Sequence, residues 1–311
     1  MTTNKPELAV VGHFSNDLLK LPSRLEPYTV LGGAVAYSSI VAQRLGTQVL
    51  VISKVGSDFP PAYQSQLLSE GIDLSGVTTA EEARTTSFEL TYNADLSSRT
   101  LKLTRQGPPI TLNDLPRALY AKVIHLAPIA AEISYPVVAH LRQCCTCLSI
   151  DPQGMTRRFD QNGNVTCAAQ IDPRILPLVD VYKSSFEELT ALTQESDLVA
   201  AVKKMHTLGP ELVVVTLGSQ GAVLSVHGRI SSVAAYGSKS AVDPTGAGDA
   251  FIGAFLSQHI RQKTPFWSAS VGSAASSLVV EGVGTNFSLD PTQVNQRVHT
   301  IQEKRPARSA L

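Results

Sequence analysis

Six short runs rich in β-branched and other apolar residues recur along the chain, separated by amphipathic stretches. They cover residues 8–11, 48–52, 123–126, 148–150, 179–182 and 212–217. Runs that are apolar throughout suit strands buried on both faces, as in a mostly parallel sheet with helices on each side. Helical spacing of apolar residues is clear at 196–208, 246–259, 267–281 and 291–302. The sequence therefore predicts an α/β sandwich.

One stretch departs from this rhythm. Residues 85–92 and 99–103 alternate polar and apolar side chains around a turn at 93–98, which predicts a half-exposed antiparallel hairpin. We expect this hairpin, together with the region 17–29, to form a small flap that excludes water when it closes. No repeat or linker divides the chain. The prediction is a single domain over 1–311, with a lid formed from about 14–32 and 84–107.

The charge balance excludes several classes of partner. Lys and Arg total 26, and so do Asp and Glu, which leaves no long-range field to attract nucleic acid or an anionic membrane. No apolar run approaches the roughly 20 residues of a membrane span, and residues 1–7 do not read as a signal segment. We expect a cytoplasmic protein with neither nucleic acid nor membrane as a partner.

The cysteines and histidines do not suggest a metal site or a catalytic role. Cys144, Cys145, Cys147 and Cys167 lack the paired C-x2-C spacing of structural zinc sites, so we expect reduced, buried thiols. The seven histidines are scattered, and none pairs recognisably with Ser or Cys. His13 and His125 are therefore interpreted as structural.

The most informative segment is 243–255, Asp-Pro-Thr-Gly-Ala-Gly-Asp-Ala-Phe-Ile-Gly-Ala-Phe. Small residues before an apolar helix leave the first backbone N–H groups free to surround an anion. An acid in the first helical turn is kept ionised by the helix dipole and is suited to accept a proton. The alternative is that Asp249 caps the helix and the glycines only form a turn. The segment is neither a dinucleotide fingerprint nor a P-loop.

The same segment resembles the C-terminal signature of the ribokinase/PfkB family of carbohydrate kinases. The resemblance implies a three-layer sandwich with a β lid and an ATP- and Mg²⁺-dependent kinase that phosphorylates a hydroxyl group. It identifies Asp249 as the catalytic base, and Gly246, Ala247 and Gly248 as the anion hole.

Further matches near the start concern the acceptor. Gly32 and Gly33 keep the glycine pattern of the family's N-terminal signature, and Asp17 matches an acid that binds substrate hydroxyls in many members. Tyr37 stands where the family usually has Asn. An aromatic ring with a distant OH argues against an ordinary ribose or fructose pocket.

Other matches concern the donor and the metal. Thr216, Gly218 and Gly221 resemble the family's nucleotide-binding turn, and Thr245, Lys183 and Ser185 join them in the implied ATP-binding set. Glu188 matches a Glu that holds the water shell of Mg²⁺, although Ser185 replaces the usual Asn of that motif. The alternative for Glu188 is a solvated residue at a helix start.

Within the family, Asp151, Gln153 and Arg157, together with Tyr37 and the run at 182–188, resemble the inositol-kinase branch. Convergent polar side chains suit a polyol, so myo-inositol is the acceptor that we expect first. Ribose-like sugars, nucleosides and a nucleotide-binding regulator without turnover remain open. Lid strands in this family can pair between subunits, which makes a homodimer possible.

Overall fold

Strands and helices alternate along most of the chain, as the sequence predicts. The computed structural model describes residues 5–96, 98–168, 171–238 and 240–304. In chain order the strands and α-helices are β1 (Leu8–Val11), β2 (Ser15–Lys20), β3 (Tyr28–Gly32), α1 (Ala34–Arg44), β4 (Val49–Gly56), α2 (Pro61–Ser69), β5 (Asp73–Ala80), β6 (Ser87–Tyr92), β7 (Arg99–Arg105), β8 (Ala121–Leu126), α3 (Tyr135–Gln143), β9 (Cys145–Ile150), β10 (Arg157–Phe159), β11 (Val165–Cys167), β12 (Val181–Ser185), α4 (Phe186–Thr193), α5 (Leu198–Thr207), β13 (Leu212–Thr216), β14 (Ala222–Val226), β15 (Arg229–Val233), α6 (Ala247–His259), α7 (Pro265–Val279) and α8 (Pro291–Glu303).

The main sheet has nine strands in the order β15-β14-β13-β12-β9-β8-β1-β4-β5. All pairs from β13 to β5 are parallel, and β14 and β15 add an antiparallel edge. Inner strand β1 pairs on both sides, with Leu8 opposite Val49 and Val123. The mostly parallel sheet predicted from the apolar runs is therefore confirmed.

Helices cover both faces of this sheet and form two cores. Leu8 and Val10 of β1 join one cluster with α1, α6, α7 and α8, whereas Ala9 and Val11 join a second cluster with α3, α4 and α5. All four β1 side chains are fully buried. Successive strand residues point to opposite faces, so burial of both faces explains why the run is apolar at every position. The result is a three-layer sandwich.

A small four-stranded sheet, in the order β3-β2-β6-β7, stands beside the sandwich. Strands β6 and β7 form the predicted antiparallel hairpin; Ser97 of its predicted turn lies outside the described residues. The two hairpins of this sheet join through β2 and β6, which run parallel. We call this sheet the lid. A short hairpin, β10 with β11, was not predicted, although Asn162-Gly163 is a hairpin signal.

The cysteine prediction was partly wrong. All four cysteines are free, but each is only half-buried. Cys145 and Cys147 lie in the first half of β9, where the strand is still partly exposed, and only Leu148–Ile150 are fully covered. Among the described residues, no cluster of three or more His, Cys, Asp or Glu side chains is arranged to hold a metal ion. No helix in the described part of the chain has the length and apolar character to cross a membrane.

Candidate active site

The polar residues singled out in the sequence gather where parallel strands of the main sheet end. Asp151 directly follows β9, Ser185 ends β12 and Thr216 ends β13. Ser185 and Thr216 are paired in register, so they lie side by side. The carboxyl edge of a parallel sheet is the usual location of ligand sites in open α/β folds. Helix α6 begins at this same edge.

The start of α6 depends on a glycine. Gly246, the N-cap residue, has a φ of 75°, a left-handed conformation that favours glycine. A methyl group added there would lie 2.2 Å from the ring of Tyr37. The approaching segment is held by Asp243, whose carboxylate accepts from the N–H of Thr245 at 2.9 Å and of Gly284 at 2.8 Å. Tyr37 and Asp243 thus fix how the helix begins.

Two amides of the predicted anion hole are open. The Ala247 N–H donates to the carbonyl of Pro244 at 3.3 Å, so this member already has an internal partner. The N–H groups of Gly246 and Gly248 have no hydrogen-bond partner among the described residues. With the positive end of α6 behind them, these two donors can face an anion.

Asp249 does not cap its helix. The N-cap residue of α6 has no side-chain hydrogen bond, and Asp249 lies in the first turn with its carboxylate lining a pocket. Its Oδ1 accepts a hydrogen bond from Gln153 Nε2 at 2.8 Å. Arg157 Nη2 donates to Oε1 of the same glutamine, also at 2.8 Å. Three of the residues predicted from the sequence therefore form one chain of hydrogen bonds.

A buried ion pair lies next to the open amides. Lys183 Nζ is 2.5 Å from Asp151 Oδ2, and both side chains are at most 5% exposed. A methyl group added at Gly248 would lie 2.7 Å from Lys183 Nζ, so the ammonium faces the start of α6. Burial lowers the pKa of Lys183, but the carboxylate of Asp151 and then that of Asp249 outweigh it and raise the pKa. A fixed positive charge thus accompanies the amides.

On the lid side of the pocket, Asp17 lies in strand β2 and is buried, with only 5% of its surface exposed. A methyl group at Gly32, on the neighbouring strand, would overlap its carboxylate at 1.9 Å, so this glycine makes room for the acid. Burial raises the pKa of Asp17 to about 6, and the nearby Ser15 hydroxyl and Phe88 backbone oppose this only in part. Asp17 Oδ1 has no hydrogen-bond partner in the described protein.

Among the other buried hydroxyls without partners in the described protein are those of Ser15 and Tyr37. Both residues line the same pocket as Asp17 and Asp249. Burial holds the pKa of Tyr37 well above its usual range, so the phenol stays a hydrogen-bond donor. Buried polar groups left unpaired cost about 1–3 kcal/mol each, and pocket groups of this kind point to a ligand rich in hydroxyls.

The sequence missed part of this pocket. Arg99 of β7 donates to the Tyr92 OH at 2.8 Å, and that OH lies 2.7 Å from Thr245 Oγ1. The lid is thereby joined to the segment that precedes α6. Ser15 and Arg99 could not be assigned to the pocket from the sequence, because the position of their strands relative to α6 depends on contacts between distant parts of the chain. The pocket lining consists of Ser15, Asp17, Gly33, Ala34, Tyr37, Phe88, Leu90, Arg99, Leu101, Ile129, Gln153, Arg157, Thr245, Gly246 and Asp249.

Of the residues predicted for the donor and the metal, Thr245 lines this pocket and the others do not. Gly218 and Gly221 flank a short 3-10 helix after β13. Glu188 and Ser185 form a capping box at the start of α4, in which Glu188 Oε2 accepts from the Ser185 N–H and Oγ, each at 2.8 Å. Mg²⁺ usually keeps several waters and one or two carboxylates. Glu188 fits such a water-mediated role, and no dedicated metal cage is needed.

An amide-lined helix start, an adjacent carboxylate and a polar pocket under a β lid define a small-molecule kinase of the ribokinase fold. The pfkB family of carbohydrate kinases matches residues 5–293, and the chain belongs to this family. The family and fold predicted from the 243–255 segment are thus confirmed.

Named relatives act on different acceptors. Inositol 3-kinase of Oryza sativa is 30% identical over an alignment of 319 positions that covers 95% of this chain and 73% of that protein. Cytidine kinase of Thermococcus kodakarensis is 29% identical over 260 residues, 82% of this chain and 89% of that protein. Arabidopsis thaliana ribokinase complexed with ribose and ATP has a TM-score of 0.77 at 22% identity, covering 94% of this chain and 99% of that one.

A pyrophosphate-dependent kinase in the ribokinase family, complexed with a pyrophosphate analogue and myo-inositol, also has this fold. Its TM-score is 0.79 at 22% identity, and the match covers 93% of this chain and 99% of that one. The enzyme is therefore a sugar, polyol or nucleoside kinase of this family.

Proposed function

We propose that the enzyme transfers the γ-phosphoryl group of ATP to a hydroxyl of a small polyol, with myo-inositol as the acceptor that we favour. The observation that carries the proposal is the Asp249 carboxylate in the first turn of α6, beside two open amides and at the wall of a polar pocket. This arrangement places a base next to a site for the charge that develops in the reaction.

In the proposed reaction, Asp249 accepts the proton of the acceptor hydroxyl as its oxygen attacks the γ-phosphorus. The bond between that phosphorus and the bridging oxygen breaks, and ADP leaves with the electron pair. The N–H groups of Gly246 and Gly248 and the ammonium of Lys183 stabilise negative charge on the transferred group. Mg²⁺, held through water by Glu188, would neutralise charge on the donor phosphates.

The acceptor preference rests on the pocket's unpaired polar atoms. Ser15 Oγ, Asp17 Oδ1 and the Tyr37 OH are buried in one pocket, and a ring bearing several hydroxyls supplies both donors and acceptors for them. The inositol 3-kinase relatives, at 27–30% identity, support the same acceptor.

A nucleoside is the second candidate acceptor, because a cytidine kinase and a nucleoside kinase of Methanothermobacter thermautotrophicus are similarly related, at 29% and 26% identity.

The acceptor and the donor are tested by measuring turnover of myo-inositol, ribose, fructose and cytidine with ATP and, separately, with pyrophosphate. The proposal predicts that myo-inositol with ATP has the highest kcat/KM. Preferred turnover of cytidine would show that the acceptor is a nucleoside instead. Turnover only with pyrophosphate would show that pyrophosphate, and not ATP, is the donor.

The role of Asp249 is tested with Asp249→Asn, which keeps the shape of the side chain and removes its capacity to take a proton. We expect kcat to fall by about 10²–10⁴ or more, because both the base and its charge are lost. Asp73→Asn is a matched control, because Asp73 is exposed at the start of edge strand β5. Equal rates for wild type and Asp249→Asn would instead indicate a nucleotide-binding protein without turnover.

A further inference from the structure

Gln153 reaches the proposed base from a distant part of the chain. It opens a short 3-10 helix after β9, and its Nε2 lies 2.8 Å from Asp249 Oδ1, across 96 residues of sequence. The other carboxylate oxygen, Oδ2, makes no hydrogen bond with the described residues. One oxygen of Asp249 is therefore held, while the other is left to take a proton.

The orientation of the Gln153 amide is determined by its neighbours. Arg157 carries only donors, so its contact at 2.8 Å must be to the amide oxygen. The amide NH₂ must then face Asp249, and an ionised carboxylate only accepts. The reversed amide would put oxygen against carboxylate and NH₂ against guanidinium. Charge and hydrogen-bond polarity thus select one arrangement.

Arg157 is itself fixed on two further sides. Its Nη1 donates to the carbonyl of Ile129 at 2.9 Å, and the ring of Phe88 lies 5.7 Å from the guanidinium carbon. Phe88 belongs to lid strand β6 and is 3% exposed. The guanidinium is therefore held between the main sheet's loops and the lid.

A neutral amide between the arginine and the acid has a chemical consequence. A direct ion pair with Arg157 would stabilise the ionised carboxylate and weaken it as a base. The Gln153 amide instead links Arg157 to Asp249 through hydrogen bonds, so the position of the carboxylate is fixed without direct contact with the guanidinium. Small errors in the position of a catalytic group cost up to about 10²-fold in rate.

We propose that Gln153 and Arg157 are positioning residues that orient the Asp249 carboxylate, and that contact with the acceptor is not their main role. The inference rests on the proposed function, because it takes Asp249 as the base. It replaces the substrate-binding role that the family resemblance suggested for these two residues.

The test is acceptor kinetics at saturating donor for Gln153→Met, Gln153→Glu and Arg157→Met, with Arg158→Met as control. Arg158 is the exposed neighbour of Arg157 on β10. Gln153→Met and Arg157→Met should each lower kcat by about 10–100-fold, with acceptor KM changed less than about threefold. Gln153→Glu should lose more, because a second carboxylate would face Asp249. A rise in KM at unchanged kcat would show that these residues bind the acceptor, and wild-type kinetics would exclude both roles.

A double-mutant cycle separates positioning from general damage to the fold. In an Asp249→Asn background, Gln153→Met should cause no further loss of kcat, because no base is left to orient. An additional loss equal to that of the single variant would contradict the proposal. If Asp249→Asn alone keeps wild-type kcat, the proposed function fails; if only Gln153→Met keeps it, positioning fails. Should Arg157→Met not fold, Arg157→Lys and the Gln153 variants carry the test.

Discussion

The burial of Asp17, which is proposed to bind the acceptor, has a cost in stability. Asp17 is a buried carboxyl group without an ion-pair partner among the described residues, and burial raises its pKa to about 6 from an ordinary value of 3.8. The folded state therefore binds a proton more tightly than the unfolded chain between pH 3.8 and 6. Stability falls as the pH rises through this window, and the loss persists above it.

We expect Asp17→Asn to raise the free energy of unfolding by about 1–3 kcal/mol at pH 7–8, because the neutral amide avoids burying a charge. The gain should disappear below about pH 4, where Asp17 is protonated in both states. Denaturant unfolding of both proteins at several pH values measures the difference. A gain that does not depend on pH would contradict this origin.

The same variant should bind the acceptor poorly. If Asp17 accepts hydrogen bonds from acceptor hydroxyls, wild-type KM should rise as pH falls through about 6, and the Asp17→Asn variant should lack this rise. A stabilised but impaired enzyme is the pattern expected of a binding group, whereas a purely structural acid would leave KM unchanged.

At this scale Asp249 could be singled out because the 243–255 segment that resembles the family signature is local in the chain, and its role as the base stays a prediction. Arg99 and Ser15 could not be found in this way. They are ordinary polar positions in alternating strands, and only the pairing of β2 with β6 brings them under the same lid.

At the scale of the secondary-structure elements, the way helix α6 begins depends more on the backbone conformation of a glycine than on side-chain contacts. Gly246 and Gly218 are both left-handed, with φ of 75° and 59°, but only Gly246 is crowded. A methyl group at Gly218 would meet nothing within 4 Å, whereas one at Gly246 would overlap the Tyr37 ring.

We therefore expect Gly218→Ala to cost about 1–2 kcal/mol of stability through backbone strain alone. Gly246→Ala should cost about 1–3 kcal/mol more, through overlap with Tyr37, and should also lower kcat, because the amides at the start of α6 move. Thermal unfolding and initial rates for the two variants measure this. Equal stability of both would mean that Tyr37 moves aside freely.

Most elements could be predicted because burial on one or both faces imposes a period on the sequence. Strand β1 was predicted at its observed bounds, and α8 differed by one residue at its end. The parallel pairing of β2 with β6 could not be predicted from the sequence, because it joins hairpins separated by more than fifty residues. Glu188 likewise remained ambiguous, because a capping box and a metal-binding motif use the same residue types.

For the whole molecule, the pocket proposed to hold the acceptor lies between two parts of the structure, the edge of the main sheet and the lid. The pocket is lined by lid residues such as Phe88 and Arg99 and by sandwich residues such as Gln153 and Asp249. A ligand that contacts both should stabilise the folded chain by mass action.

At one hundred times its Kd, the acceptor should stabilise the enzyme by about 2.7 kcal/mol. For a chain of 311 residues this corresponds to a rise in Tm of about 4 °C. Differential scanning calorimetry with myo-inositol, and with ribose or cytidine as comparisons, measures the shift. Stabilisation by ATP but by none of these compounds would exclude all three as acceptors.

The candidate active site collects its groups from widely separated stretches: Asp17 near the start, Asp151 and Lys183 in the middle and Asp249 late in the chain. A nascent chain emerging from the ribosome would thus shape its central strands long before Asp249 is made. Catalytic competence would therefore be acquired late, so unfinished chains would not turn over a phosphoryl donor.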